Sequence, residues 1–548
     1  MLDEPATRQT PHRLGTLVLA LAGSLLMFAA QPPLGWSVVA WVAPVPWLWL
    51  ATRADLGRRP YLKLWLAGAV YWMATLHWIR LAHPATIIGG VALSVYLGVY
   101  LPLWVAVVRH GMARLSIPLW IGAPTAWVAT EWLQAHLLGG MLMGALSHSQ
   151  IEWTPLVQIA DLGGAYLVSF VVMMVASGIV AALRLYREHQ PPGRGIRLAL
   201  DLILPMLVLA ASLLYGNYRL ETLPSPEEEP RRIALIQGNH RAVWQHDPER
   251  DYRVMETYET LTFEAARQVA QRGERLDLVV WPETMHRGGL YDYPDDYQFP
   301  PQTGMTVAEA KSIGQQMLGK LARQIDTPLL VGIDRVVVHS HEAWDHYNSS
   351  AAVDRQGNLI GTYDKNHLVM FGEYVPLGTI WPDIYKLFPI GGLTPGAGPR
   401  AFAIEGTRYM PTICFETVLP HLVRNQVAEL AAQGHRPDVL VNITNDSWFN
   451  DSSELEMHLT CSRYRAIECR TPMVVAANGG LSASIDSFGR VLAKTSPMTE
   501  EILIAEVSPG AAWSFYVQSG DWFALTTLVA SGLSLVAGWK SRSRTKEE

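Results

Sequence analysis

Apolar residues fall in long uninterrupted blocks over the first 220 positions and once more near the end, with strand- and helix-sized segments between. Blocks of bilayer-crossing length, about 20 residues, lie at 14–30, 35–51, 63–82, 87–108, 116–136, 163–183, 198–216 and 521–538. The pattern predicts eight transmembrane helices. The first block follows Arg8 and Arg13 and runs into Ala29 and Ala30, as a signal peptide would. Because six more blocks follow with no separate soluble domain between them, it reads as an uncleaved first span.

From Leu220 the pattern changes. TLPSPEEEPRR reads as an exposed linker. Beyond it, strands are predicted at 232–239, 276–283, 327–334, 346–354, 408–416, 439–444, 473–480 and 501–507. Helices with apolar steps of three and four residues are predicted at 250–272, 305–325, 418–434 and 453–470. Buried strands alternating with amphipathic helices imply an α/β or α+β sandwich. The expected domains are 1–219 with seven spans, 220–519 as a globular unit, and 520–548 as a last span with a basic tail.

Composition agrees with a membrane protein: 49% hydrophobic, 17% charged and a mean hydropathy of +0.13, against roughly 25% charged residues in soluble proteins. A net charge of -6 without a basic run outside short loops excludes a nucleic-acid partner. Charge also orients the chain. Arg8 and Arg13, Arg53 to Lys63, Arg109 and Arg114, Arg184 to Arg197, and Lys540 to Lys546 fall on one side if eight spans alternate, while the opposite short loops hold little beyond Arg80. Both termini are then expected in the cytoplasm, with the globular unit on the far side of the membrane.

Three strand ends carry candidate chemistry. LDLVVWPET brings Glu283, GTYDKNHL brings Lys365, and YMPTICFE brings Cys414. A thiol near pKa 8.5 needs a base or a neighbouring cation to become a nucleophile. Glu283 would take the proton. Lys365 and the backbone N–H of Phe415 would hold the thiolate and then an oxyanion, which points to acyl transfer through a thioester. Each residue also has a plain structural explanation: a small buried thiol, a solvated turn, a surface charge.

Other readings stay open at this level. Cys461 and Cys469 are eight apart on one predicted helix, about 12 Å of rise, too far for a bridge that needs Cα atoms within about 7 Å. Cys414 could still pair with either. His339, His341 and His346 suggest a polar loop more than a metal site, and no metal or cofactor is expected. His367 could partner Cys414 but fits a structural role better. Trp244, Phe371, Tyr374, Trp448 and Phe449 are loop aromatics that could receive acyl chains or meet the membrane interface.

Taken together, WPET, YDKNHLVMFGEYVPLG and ICFE resemble, in order, the three motifs of the nitrilase or carbon-nitrogen hydrolase superfamily. That resemblance implies a Glu-Lys-Cys triad in an α-β-β-α sandwich. With FAAQPPLGWSVVAWVAPVPWLWL, APTAWVATEWLQAHLLGG, IQGN and RYRAIECRTP, nearly the whole chain looks like the membrane branch of that superfamily, the apolipoprotein N-acyltransferases.

By matching position, the resemblance makes Glu283 the general base, Lys365 the stabiliser, Cys414 the acylated nucleophile and Glu373 a second glutamate orienting the lysine. Trp244 and Glu416 would shape the site. It further implies a phospholipid acyl donor, commonly phosphatidylethanolamine at sn-1, and a diacylglyceryl-lipoprotein acceptor. The setting would be the bacterial inner membrane, with the catalytic domain periplasmic and the protein a monomer. The chain departs from the family's pattern at Met370, Phe415 and Ala476 to Gly480. A membrane-tethered amidase or nitrilase and a non-catalytic lipid-binding scaffold are the rival readings.

Overall fold

A computed structural model describes residues 15–187, 194–222, 229–243, 247–300, 303–376, 378, 380, 381, 383 and 392–547. Each of the eight apolar blocks is helical for most of its length, but not every block forms one long helix. Thr86–Met112, Ala165–Arg187 and Gly195–Thr222 are long and apolar enough to cross a membrane, whereas Thr16–Ala30, Ser37–Thr52 and Trp522–Gly538 are apolar but shorter. Pro44, which lacks an N–H donor, separates a 3-10 turn at Ser37–Trp41 from the helix Val45–Thr52. The block at 63–82 closes its α-helix at Thr75 and continues as a 3-10 turn, His77–Leu81. Leu25, Ile88, Leu214 and Leu533 project outward and are exposed. Such a surface suits lipid better than water.

The second half is a two-sheet sandwich. Among the described residues its twelve strands are β1 (Arg231–Gln237), β2 (Leu278–Asp292), β3 (Leu329–Val338), β4 (Trp344–Val353), β5 (Leu359–Asp364), β6 (Phe402–Ile404), β7 (Thr407–Ile413), β8 (Val439–Thr444), β9 (Met473–Ala477), β10 (Ala483–Ile485), β11 (Val491–Lys494) and β12 (Glu501–Val507). They form two six-stranded sheets, ordered β12-β1-β2-β3-β4-β5 and β11-β10-β9-β8-β7-β6. The centre of each is parallel, β1-β2-β3 and β7-β8-β9, with antiparallel strands outside.

The period-2 alternation of side chains explains the layering. Ile233, Leu235, Leu278, Val280 and Leu330 of one sheet meet Ile413, Val439, Val441 and Val474 of the other in a shared core. The alternate residues Ala234, Ile236, Val279 and Trp281 face the helices Pro248–Ala270 and Val307–Ile325. On the opposite side Met410, Leu440 and Met473 face Pro420–Ala432 and Ser453–Cys469. Both faces of each central strand are therefore buried, which is why these strands read as continuous apolar runs.

The sandwich rests directly on the helical half. Val418, Met457 and Cys461 belong to the same apolar core as Tyr71, Trp72, Met143 and Leu146, with Phe415 and Phe449 packed against it. Arg470, wholly buried, holds Asp161 at 2.8 Å, and Arg219 reaches the same carboxylate oxygen at 3.0 Å. The Tyr464 hydroxyl donates to the Ser147 carbonyl at 2.6 Å.

Candidate active site

Glu283 was expected just past a strand but lies within β2, at a break in its pairing with β3 between Trp281 and His286. The next residue, Thr284, has φ 54°, so the strand kinks and the Glu283 side chain leaves the ladder. Gly332 on β3 permits the kink: a Cβ there would sit 2.6 Å from the Glu283 Cα. Lys365 follows β5, and its N–H bonds back to the Asn348 carbonyl at 2.8 Å. Cys414 follows β7, opening a 3-10 turn, Cys414–Val418, with φ 51°. That left-handed elbow turns the thiol out of the sheet.

These residues meet in one buried cluster. Lys365 Nζ lies 2.8 Å from Glu373 Oε1 and 3.4 Å from Glu283 Oε1. Asn348 Nδ2 donates to both carboxylates, at 2.7 Å to Glu283 and 3.2 Å to Glu373. The second oxygen of Glu283 accepts from the Asn445 N–H at 3.0 Å, and that of Glu373 from the Val369 N–H at 2.8 Å. Burial opposes the charge on Lys365, yet Glu373, Glu283 and Cys414 together raise its pKa well above the ordinary value. Lys365 is therefore a fixed cation.

Burial, reinforced by Glu283, pushes the Cys414 thiol well up, while Lys365 pulls the other way. The resting group is a thiol. Glu283 and Asp446 are the carboxylates that bear on it. Burial raises Cys461 and Cys469 to about 12, and both are wholly enclosed, whereas Cys414 is half-buried and has a carboxylate and a cation acting on it. All three cysteines are free.

Glu416 supports the loop. Its carboxylate, wholly buried, accepts from Tyr363 Oη at 2.9 Å and from the N–H groups of Asn366 (2.7 Å), His367 (3.1 Å) and Ile413 (2.7 Å). It thus ties the residues after Lys365 to the residue before Cys414. Burial raises its pKa, with the Ile413 N–H opposing. His367 does not serve the thiol; its Nε2 contacts the Gly139 carbonyl at 2.8 Å, joining the site loop to the helical half.

Phe371 is exposed at φ 60° and Tyr374 is half-buried, the two flanking Glu373, with the Phe371 N–H donating to the Tyr374 carbonyl at 2.8 Å. Trp448 is half-buried in the turn after β8. Trp244 lies outside the described residues. His339 contacts Asp345 at 2.8 Å, His341 the Tyr297 hydroxyl at 3.0 Å and His346 Asp334 at 3.4 Å, so the histidines of that hairpin serve local contacts.

Sequence reasoning missed Asn348, Asn445 and His458. Among the described residues the grouping with metal-ligating spacing is Asp446, Glu454 and His458, whose ligand atoms lie within 4.8 Å of one another. Sequence signals for these residues are slight: a lone Asn in a strand, an Asn-Asp pair after β8, one His on a helix.

The profile of the carbon-nitrogen hydrolase family matches residues 232–514. A second profile, the apolipoprotein N-acyltransferase N-terminal domain, matches residues 23–178. The chain is 31% identical to the apolipoprotein N-acyltransferase of Rhodopirellula baltica over 91% of this chain and 93% of that protein. It is 32% identical to the one from Geobacter metallireducens, over 96% of each. The chain belongs to the apolipoprotein N-acyltransferase family, a family of acyltransferases. Among solved structures, the amidase from Nesterenkonia sp. AN1 is similar at 16% identity, covering 54% of this chain and 97% of that one with a TM-score of 0.37.

Proposed function

We propose that this enzyme transfers an acyl chain from a phospholipid to the N-terminal amino group of S-diacylglyceryl-cysteine in apolipoproteins, through a thioester on Cys414. The observation that carries this reading is the position of the thiol. Cys414 has Glu283 and Lys365 on one flank, while its neighbours Phe415 and Val418 belong to the apolar core of the helical half. A nucleophile at that seam meets acyl esters without drawing them out of the bilayer.

In the first half-reaction the Cys414 sulfur attacks the ester carbonyl and Glu283 takes the thiol proton. Lys365 and the Phe415 N–H stabilise the oxyanion, a preorganised donor being worth about 2.7–4 kcal/mol. The C–O bond breaks, and Glu283 returns the proton to the departing lysophospholipid oxygen. In the second half-reaction the α-amino nitrogen attacks the thioester, Glu283 takes its proton, the C–S bond breaks and the sulfur regains a proton. Glu373 holds Lys365 in place throughout, and no cofactor is required.

The same reading gives the chain eight spans, seven in 1–219 and one in 520–548, with both termini cytoplasmic. The catalytic domain, 220–519, then faces the periplasm at the inner membrane, and the protein acts as a monomer. Phe371, Tyr374 and Trp448 line the lipid approach. Intact-protein mass spectrometry after incubation with phosphatidylethanolamine tests the chemistry: the expected adduct is one acyl chain on Cys414, absent in C414A and retained in C461A and C469A. An adduct on another residue, or turnover of soluble amides without lipid, would overturn the reading.

A further inference from the structure

Asp446, Glu454 and His458 form a buried ionisable group that the reaction above does not use. His458, on the helix Ser453–Cys469, reaches in two directions. Its Nε2 lies 3.1 Å from the Cys414 carbonyl oxygen and 3.0 Å from Thr417 Oγ1. Its Nδ1 lies 3.2 Å from Asp446 Oδ1 and 3.7 Å from Glu454 Oε1. The Thr417 hydroxyl itself donates to the Cys414 carbonyl at 3.3 Å. Both imidazole nitrogens therefore face oxygen acceptors, an arrangement that suits the doubly protonated ring, which donates from each.

The far end of the group returns to the same cysteine. Asp446 Oδ1 also accepts from Thr444 Oγ1 at 2.6 Å, and the Asp446 charge opposes ionisation of the Cys414 thiol. Asp446 thus anchors the imidazole that holds the carbonyl of Cys414. Gly480 closes over the carboxylate, since a Cβ there would lie 2.9 Å from the Asp446 Cβ. Meanwhile Cys414 occupies a left-handed backbone conformation, φ 51°, that a side chain other than glycine's adopts only when its surroundings hold it there.

We propose that His458 is a positioning residue for the nucleophile: as an imidazolium anchored by Asp446, with Glu454 beside it, it grips the Cys414 carbonyl and locks the elbow that aims the thiol at Glu283 and Lys365. This rests on Cys414 being the acylated residue. His458 touches no reacting atom. It acts through the backbone of the cysteine.

The test compares His458→Ala, His458→Gln and His458→Asn in the purified full-length protein in phospholipid-detergent micelles. The readouts are the rate of acyl-Cys414 formation and the KM for the donor. A glutamine amide reaches the Cys414 carbonyl from the place of Nε2, whereas an asparagine amide reaches only Asp446. H458A should lower the acylation rate roughly a hundredfold, the loss expected from misplacing a reacting group by about 1 Å, with KM unchanged. H458Q should restore most of that rate and H458N little of it.

Alkylation of Cys414 by iodoacetamide reads the same positioning without lipid, and should slow in the same order. It separates failure of this inference from failure of the acyl-enzyme reading: ordered alkylation without any acyl adduct sinks only the latter. Acylation and alkylation in H458A at the wild-type rates would overturn the positioning role. So would equal slowing in all three variants, or a stoichiometric divalent metal in the wild type that is lost in H458A.

Discussion

Replacing Lys365 by methionine isolates the electrostatics of the site. Lys365 is 1% exposed and faces two carboxylates, the half-buried Glu373 at 2.8 Å and the buried Glu283 at 3.4 Å, which also share the Asn348 amide. Methionine keeps most of the volume and removes the charge. Glu283 and Glu373 are then left facing each other in a low-dielectric site, and removing one partner of a buried ion pair costs about 3–5 kcal/mol. K365M should therefore melt well below the wild type in a thermal-unfolding assay in detergent. A second substitution, Glu373→Gln, removes the surplus charge and should return about 2 kcal/mol of that stability.

Activity should separate from stability. Without its cation the oxyanion loses a donor, a drop of about 10²–10³ in acylation rate, and the double variant should stay as slow as K365M. Acyl-Cys414 formation, followed by mass, supplies the rate. If K365M melts like the wild type, or if adding Glu373→Gln lowers the melting temperature further, the three-charge account of this site is wrong.

Glu416→Gln should slow acylation and cost about 1–3 kcal/mol, because an amide cannot accept from Tyr363, Asn366, His367 and Ile413 at once; rate and melting point check it together. Burial opposes the charge on His458, but Asp446, Glu454 and the Cys414 carbonyl raise its pKa from 6.5 to about 9. The stability this contributes is fully present below the unfolded value of 6.5 and is lost as pH rises through about 9. The melting-point gap between wild type and H458Q should shrink across that window, and a constant gap would contradict the assignment. Asp161→Asn leaves Arg470 and Arg219 around a neutral amide, and should destabilise the junction of the two halves by about 3–5 kcal/mol. Proteolysis of the variant between the halves would report it.

The sandwich was legible because its central strands bury both faces, so VLVNIT and LDLVVWPE advertise themselves as runs. The short outer strands β6, β10 and β11, of three or four residues, carry too little pattern to be read. Glu283, Lys365 and Cys414 could be recognised as an ordered set, but their supports could not. Asn348 lies 65 residues from the Glu283 it holds, and His458 lies 44 from the Cys414 carbonyl. Only the packed sheets create those contacts. The strand carrying Glu283 runs on past its expected end because β2 resumes after the kink at Thr284, a backbone detail without an apolar signature. The helical half was legible as apolar blocks, but Pro44 and the 3-10 turn after Thr75 divide two of them.

Every residue of the helix Ser453–Cys469 except Glu456 is buried, with His458 against the cysteine and Tyr464 against the membrane-side loop. One rigid rod thus touches the reactive sulfur's backbone at one point and the apolar half at another. A domain on a flexible leash would sample a range of heights above a bilayer, and reaction would wait on the rare depth that matched an ester bond. In the proposed reaction the depth of the sulfur is set by this rod. Which carbonyl of a lipid it reaches becomes a matter of vertical registration, so selectivity among ester positions can be set without a single contact to the acyl chain.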